Sequence, residues 1–129
     1  MINRRNFLSV AVASGAALII SGPQAFAAEG GHFEGRSKHI TTGKVKIVKK
    51  DGGYVVELGN DFSLDGAPDP RVGLGKNGKY DPATDLGELR NLKGGQSYAV
   101  PAGVDISGHN EVYIWCRKFN VPLGVATLN

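Results

Sequence analysis

The segment from Tyr113 to Phe119 contains the only cysteine of the chain, Cys116, directly after its only tryptophan, Trp115. A single thiol cannot close an intramolecular disulfide, so Cys116 acts alone or with a group from outside the chain. As a thiolate it would be a nucleophile or a metal ligand. In apolar surroundings it would instead behave as a small hydrophobic core residue.

Strand alternation predicts where the cysteine points. Val112, Ile114 and Cys116 fall on one face of the predicted strand, whereas Tyr113 and Trp115 fall on the other. Because two β-branched residues share its face, Cys116 is expected to point inward. The competing interpretation places the thiol at the mouth of a pocket, where a cationic neighbour would lower its pKa.

The other candidate ligands are His32, His39 and His109, which are widely spaced. No pair of them lies at i, i+2 or i, i+4, so their spacing gives no support to a copper or zinc site with Cys116. The C-x-x-C-H motif for covalent haem is absent from the sequence. A non-covalent haem with Cys116 or a histidine as axial ligand stays open. The sequence also lacks a G-x-S-x-G elbow, a P-loop and a dinucleotide glycine pattern, so spacing alone reveals no enzyme.

The first 27 residues have the organisation of an export signal. Arg4 and Arg5 precede a mild apolar stretch that ends near Ile20, and an A-x-A cleavage site follows at 25–27. The Arg-Arg-x-Phe-Leu pattern resembles the twin-arginine consensus, with an ordinary secretory signal as the alternative. The apolar run is short for a transmembrane span. We therefore expect a periplasmic or extracellular protein of residues 28–129, without a transmembrane anchor.

Loss of the signal changes the charge of the protein. The full chain carries 15 basic and 12 acidic residues, a net charge of +3. Without Arg4 and Arg5 the balance is 13 against 12, or +1. The densest basic group, around Lys44 and Lys46, alternates with Val45 and Ile47 and is typical of a solvated strand face. Nucleic-acid binding is therefore not expected.

The residues after the signal favour an all-β fold, an antiparallel sandwich or barrel-like single domain. Apolar and polar residues alternate with a period of two, and glycine, proline and aspartate mark the breaks. Strands are predicted at 45–48, 54–58, 96–100, 111–117 and 119–128, with a tight turn at 51–53. The segment 61–85 is expected to be mostly loop, with a short strand at 71–74, and 104–107 a turn or one helical turn.

Several segments between Gly31 and Leu128 resemble the DM13 domain family. They are the Gly-His-Phe-Glu-Gly run at 31–35 that leads to His39, the segments at 43–47 and 86–94, the Gln-Ser-Tyr-Ala-Val-Pro-Ala-Gly-Val-Asp run at 96–105, and Val112 to Gly124. The middle of the chain departs from the family pattern, with Asp61-Phe62 and Ala67-Pro68-Asp69 at the corresponding positions.

The resemblance implies a β-sandwich-like extracytoplasmic module that takes part in electron transfer. The family's characteristic cysteine matches Cys116, which implies a redox-active thiol or a ligand to a group such as haem. His39 is then the candidate second ligand, and an extracytoplasmic redox protein the candidate partner. The cofactor stays undetermined, with non-covalent haem and no cofactor both open.

Two alternatives accompany this hypothesis. In the first, the chain is a non-catalytic binding or adhesion module in which Cys116 is a buried core residue and the 61–85 segment recognises a partner. In the second, Cys116 is exposed and links two copies of the chain. Accessibility of the thiol distinguishes these alternatives.

Overall fold

The computed structural model describes residues 29–129. The predicted export signal at 1–27 lies outside the described residues. Within 29–129, no helix is long and apolar enough to cross a membrane. The described part of the chain is built of antiparallel strands and short 3₁₀ turns, which confirms the all-β prediction.

The structure contains eleven strands in the described range. They are β1 (Glu29–Gly35), β2 (Thr41–Thr42), β3 (Lys44–Lys50), β4 (Gly53–Leu58), β5 (Ser63–Leu64), β6 (Pro70–Lys76), β7 (Lys79–Asp81), β8 (Gly87–Glu88), β9 (Gln96–Val100), β10 (Glu111–Cys116) and β11 (Val121–Thr127). Two 3₁₀ turns, Pro82–Thr84 and Ile106–Gly108, interrupt the connections. Each begins after an aspartate, Asp81 or Asp105, whose carboxylate accepts a backbone N–H at the start of the turn.

Nine strands form one strongly curled, half-barrel sheet. Its order is β7-β6-β10-β11-β1-β3-β4-β9, and β8 pairs with β6. Strand β1 joins the two halves of the sheet, because residues 29–32 pair with β3 and residues 33–35 pair with β11. Strands β2 and β5 form a separate small sheet.

Alternation along the strands fills the concave side of the sheet with apolar side chains. In β3, Val45 and Ile47 are buried whereas Lys44 and Lys46 are exposed, as the sequence predicts. The expected turn at 51–53 is also present, since Asp51 and Gly52 both adopt positive φ angles between β3 and β4. The core is therefore a single cluster of buried apolar residues, which includes Cys116.

The structure differs from the sequence prediction in the 61–85 segment. Strand β6 extends from Pro70 to Lys76 and pairs with both β7 and β10, so it lies inside the sheet. Its glycines, Gly73 and Gly75, look like strand breakers in the sequence, yet both lie within the paired strand. Strand β1 was not predicted either, because its glycines conceal the strand pattern.

Candidate functional site

Cys116 is the last residue of β10, and 1% of its surface is exposed. It shares the concave face with Val112 and Ile114, as strand alternation predicts. On the neighbouring strands its backbone lies opposite Pro70 and Val121. The sulfur is thus enclosed in the core, one residue before the chain turns from β10 into β11.

A β-bulge lies beside this turn. Ile114 pairs with Gly124 and Trp115 pairs with Pro122, so Leu123 is the extra residue of β11. Its carbonyl oxygen accepts the Arg36 backbone N–H at 2.9 Å and the Thr41 hydroxyl at 2.8 Å. Both contacts satisfy a buried acceptor outside the β10–β11 ladder, and they fasten the β1–β2 loop and the start of β2 to the strand that pairs with the end of β10.

Charged side chains surround the same end of β10. Asp69 lies 3.1 Å from Arg71 and 3.4 Å from Arg117, measured from its carboxylate oxygens to the two Nε atoms. Asp85 lies 3.9 Å from Arg71 on the other side. This charge cluster, formed by Asp69, Arg71, Asp85 and Arg117, connects the residue after Cys116 to the beginning of β6.

The convex face of the same strands carries an aromatic cluster, formed by Tyr80, Tyr113 and Trp115. Tyr80 and Trp115 are stacked, with ring centroids 4.3 Å apart and ring planes 10° from parallel. Tyr113 meets both rings edge-on, at centroid distances of 5.6 Å and 6.2 Å. Cys116 and Trp115 therefore point to opposite sides of the sheet from adjacent positions.

Two glycines of β6 make room for these rings. A Cβ atom added at Gly73 would lie 2.5 Å from Cε1 of Tyr80, and one at Gly75 would lie 2.4 Å from Cε1 of Tyr113. The rings thus lie directly against the backbone of β6, and only glycine permits this approach. Tyr80 was not singled out from the sequence. Glycines at alternate positions of β6 indicate that one face of this strand lies close to a bulky neighbour, and that signal could have pointed to it.

Burial changes the acid–base behaviour of the aromatic cluster. It raises the pKa of Tyr80 to about 12, with a smaller contribution from the negative charge of Asp85. It also raises the pKa of Tyr113 to about 12, and the nearby Glu111 carboxylate adds to the effect. Both phenols therefore keep their protons throughout the physiological range.

His39, the candidate second ligand, lies in the loop between β1 and β2. Its Nδ1 atom is 2.8 Å from a carboxylate oxygen of Asp65, and 29% of its side chain is exposed. The Ile40 backbone N–H and His39 together lower the pKa of Asp65. The other histidines lie elsewhere: His32 is exposed on β1, and His109 contacts Asp81.

These positions bear on whether a haem or a metal fits. Across residues 29–129, no group of three or more histidine, cysteine, aspartate or glutamate side chains could hold a metal ion. Cys116 is packed within the apolar core, and none of the five surface pockets described in this range reaches it. The closed fold does not fit a haem at the Cys116 sulfur. Cofactor binding by Cys116 and His39 stays a prediction that requires the strands around the sulfur to part.

Comparison with known proteins adds one finding. A family model described as "Electron transfer DM13" matches residues 32–128. No curated protein and no solved structure gives a significant match.

Proposed function

Because this chain belongs to the DM13 electron-transfer family, we propose that it is an exported redox module with Cys116 as its redox-active group. The observation that carries the proposal is the position of this lone thiol, at the end of β10 beside the turn to β11. In this proposal, the sulfur is uncovered when that turn moves away from the strands on either side of Cys116.

The chemistry proposed for Cys116 is thiol–disulfide exchange. The thiolate would attack a disulfide of an extracytoplasmic partner, forming one new S–S bond while the partner's S–S bond breaks and its second sulfur leaves as a thiolate. The Cys116 proton passes to solvent when the thiolate forms. Because the chain has no second cysteine, the mixed disulfide is resolved by a thiol from outside.

Because Cys116 is buried, thiol–disulfide exchange requires the protein to open locally. A sulfur that is 1% exposed reacts only in the fraction of molecules whose β10–β11 turn has opened. Burial of a free thiol in apolar surroundings also suppresses unwanted oxidation in an oxidising compartment. In this scheme a docked partner favours the form in which the β10–β11 turn is open. The form with the turn closed keeps the thiol protected until a partner docks.

The turn also offers a contact for the partner. Phe119 is 62% exposed, and the Lys118 ammonium lies 5.7 Å from the centre of its ring. An exposed aromatic ring beside a cation is a favourable anchor at protein–protein interfaces. We therefore include residues 117–120 in the surface that the redox partner contacts.

Intact-mass measurement tests the function. The exported protein is isolated from the cell envelope without reductant, beside its Cys116→Ser variant. We expect the original protein, but not the variant, to carry the added mass of a thiol joined by a disulfide that reductant removes. A thiol that is recovered unmodified from the envelope, and that then reacts with disulfide reagents only after denaturation, would overturn the proposal.

The burial of Cys116 favours a second candidate function, a binding or adhesion module in which this residue serves only as core. Under this alternative, Cys116→Ser changes stability but leaves partner binding intact. Recovery of an unmodified thiol from the envelope, followed by equal capture of a partner by both proteins, would favour it over the redox module.

Export itself is part of the proposal and has a separate test. Replacing both Arg4 and Arg5 by lysine keeps the positive charge of the leader but removes the twin arginines. We expect the double variant to remain in the cytoplasm. Export at the original level would favour the general secretory route, and cytoplasmic retention of the unaltered chain would contradict export.

A further inference from the structure

The convex face of the sheet contains a groove on the opposite side of β10 from Cys116. It has a volume of about 420 Å³, within the range of small-molecule sites in proteins. The aromatic cluster forms part of its lining, and Arg36 and Lys79 contribute to the rest. The groove therefore combines aromatic rings with positive charges.

The aromatic cluster is already ordered for stacking. Tyr80 and Trp115 are parallel and only partly buried, whereas Tyr113 is 4% exposed and supports them from within. Tyr113 and the neighbouring Val125 are buried, yet neither belongs to the apolar core on the concave side. A flat ligand would thus meet rings that are held in place by their own packing.

The groove has two cationic lining residues, Arg36 and Lys79, against one acidic residue, Glu111. Glu111 is its only acidic lining residue, and both of its carboxylate oxygens accept the Gly78 backbone N–H, at 2.9 Å and 3.0 Å. Lys79 is exposed and forms no ion pair within residues 29–129. Arg36 has one acidic neighbour, Glu34, at 3.6 Å, and both side chains are largely exposed. Such a surface pair is weak and exchangeable.

We propose that this groove binds a planar aromatic molecule that carries an anionic group, the chemical class of a phosphorylated flavin. The ring system stacks in the aromatic cluster, and the anionic group is held by Arg36 and Lys79. A role for the ligand as an electron carrier rests on the proposed function, whereas the binding itself rests on the groove alone.

The position of the groove explains how the two sites would be related. Trp115 faces the groove and Cys116 faces the core from adjacent residues of β10. A ligand stacked in the aromatic cluster is thus separated from the thiol by the thickness of one strand. Ligand binding would also stabilise the strands that enclose the sulfur, through mass action on the folded state.

Titration with riboflavin 5′-phosphate tests the inference on the exported chain. We expect saturable quenching of the flavin fluorescence, because an excited flavin is quenched when it stacks on tryptophan or tyrosine. Arg36→Gln and Lys79→Gln should each weaken binding about fivefold or more, since each removes a charge-assisted contact. Lys49→Gln is the matched control, because it removes an exposed lysine of β3 that does not line the groove.

Further ligands and variants separate the ring contribution from the charge contribution. Riboflavin, which lacks the phosphate, should bind more weakly and should not respond to Lys79→Gln. Trp115→Leu should reduce both binding and quenching, with a thermal melt to confirm that it folds. The inference is overturned if the phosphorylated flavin does not bind at millimolar concentration, if riboflavin or the non-aromatic anion glucuronate binds equally well, or if Lys49→Gln is as damaging as Lys79→Gln.

The two proposals fail in distinguishable ways. Cys116→Ser removes the thiol but no groove residue, so the folded variant should bind the flavin as the original protein does. Normal flavin binding with no thiol modification in the envelope would contradict the redox function of Cys116 alone. Thiol modification without flavin binding would contradict the groove alone.

Discussion

Arg117, the residue after Cys116, is bound to Asp69 through both its backbone and its side chain. Its backbone N–H donates to the Asp69 carbonyl oxygen at 3.0 Å, and its Nε atom lies 3.4 Å from the Asp69 carboxylate. Asp69 immediately precedes β6, so this double contact fastens the end of β10 to the neighbouring strand. We therefore expect this contact to break when the turn beside the thiol opens.

Asp69→Asn should increase the reactivity of Cys116 in the folded protein. The substitution removes the carboxylate charge from Arg117 and Arg71, with an expected loss of about 1 kcal/mol of local stability. This corresponds to about fivefold faster reaction with a thiol reagent, because the rate follows the open population. Asp51→Asn, in the distant β3–β4 turn, is the control. An unchanged labelling rate in Asp69→Asn would mean that this contact does not govern opening.

Gly75→Ala should destabilise the protein more than Gly73→Ala. A Cβ at position 75 would lie 2.4 Å from both the Lys79 carbonyl oxygen and the Tyr113 ring, and the backbone cannot easily move. At position 73 the three atoms nearest to the new methyl all belong to the Tyr80 side chain. We expect a loss of about 1–3 kcal/mol for Gly75→Ala in urea unfolding.

Two further variants make this comparison specific. Gly103→Ala should be nearly neutral, because a Cβ there meets no atom within 4 Å. Adding Tyr80→Ala to Gly73→Ala should cost less than the sum of the two single changes, because the ring that clashes is gone. Additive losses would contradict the close approach of Tyr80 to β6.

The Asp81 carboxylate should contribute to stability above its ordinary pKa and lose that contribution in acid. A hydrogen bond from His109 and a second from the Ala83 backbone N–H lower its pKa below the ordinary value of 3.8. The folded state therefore binds this proton less readily than the unfolded state. The stabilisation is complete above the unfolded value and disappears as the pH falls through the lower folded value.

Urea unfolding over a descending pH series checks this dependence. The Asp81→Asn variant should be less stable than the original protein at neutral pH, and the difference should shrink as the pH falls below about 4. Asp51→Asn serves as the control for removal of a surface carboxylate. A stability difference that stays constant with pH would contradict the assignment.

The two phenols of the aromatic cluster should lose their protons at a higher pH than an exposed tyrosine does. Burial raises the pKa of Tyr80 and Tyr113 to about 12. The contribution of these two phenols to the stability of the folded protein is therefore complete below the ordinary pKa of 10.0, and it is lost as the pH rises through about 12. Phenolate absorbance of the folded protein should include ionisations near pH 12 from these two rings, and Tyr113→Phe should remove one of them. Loss of an ionisation near pH 10 in Tyr113→Phe would show that this ring is solvated.

The sequence predicted the fold where side-chain alternation is regular. Strands β3, β4 and β9 alternate between buried and more exposed side chains, and the inward orientation of Cys116 follows from its sharing one face of β10 with Val112 and Ile114. The glycine-rich strands β1 and β6 were missed or shortened. In these strands glycine is required because another strand lies too close for a side chain. A Cβ at Gly31, for example, would lie 2.1 Å from the Thr127 carbonyl oxygen.

The candidate site was predictable only in part, for the same reason. Cys116 and Trp115 could be recognised from the sequence as adjacent residues that face opposite sides. The stacking of Tyr80 on Trp115 depends on β7 and β10 lying on either side of β6, and the contact of Arg117 with Asp69 depends on the pairing of β10 with β6. Strand order is a tertiary property that local alternation does not contain.

The division of β1 between β3 and β11 has a consequence for the timing of folding. Near the ends of these strands, the Asn129 backbone N–H donates to the Gly30 carbonyl oxygen at 3.0 Å. The ribosome synthesises β3 soon after β1, whereas β11 follows about ninety residues later. Pairing of β1 with β11, which joins the two halves of the sheet, can therefore form only when translation of the domain is almost complete. Cys116 lies within the unfinished half until then. Its sulfur is therefore also accessible in every molecule during synthesis, before the docking of β11 encloses it.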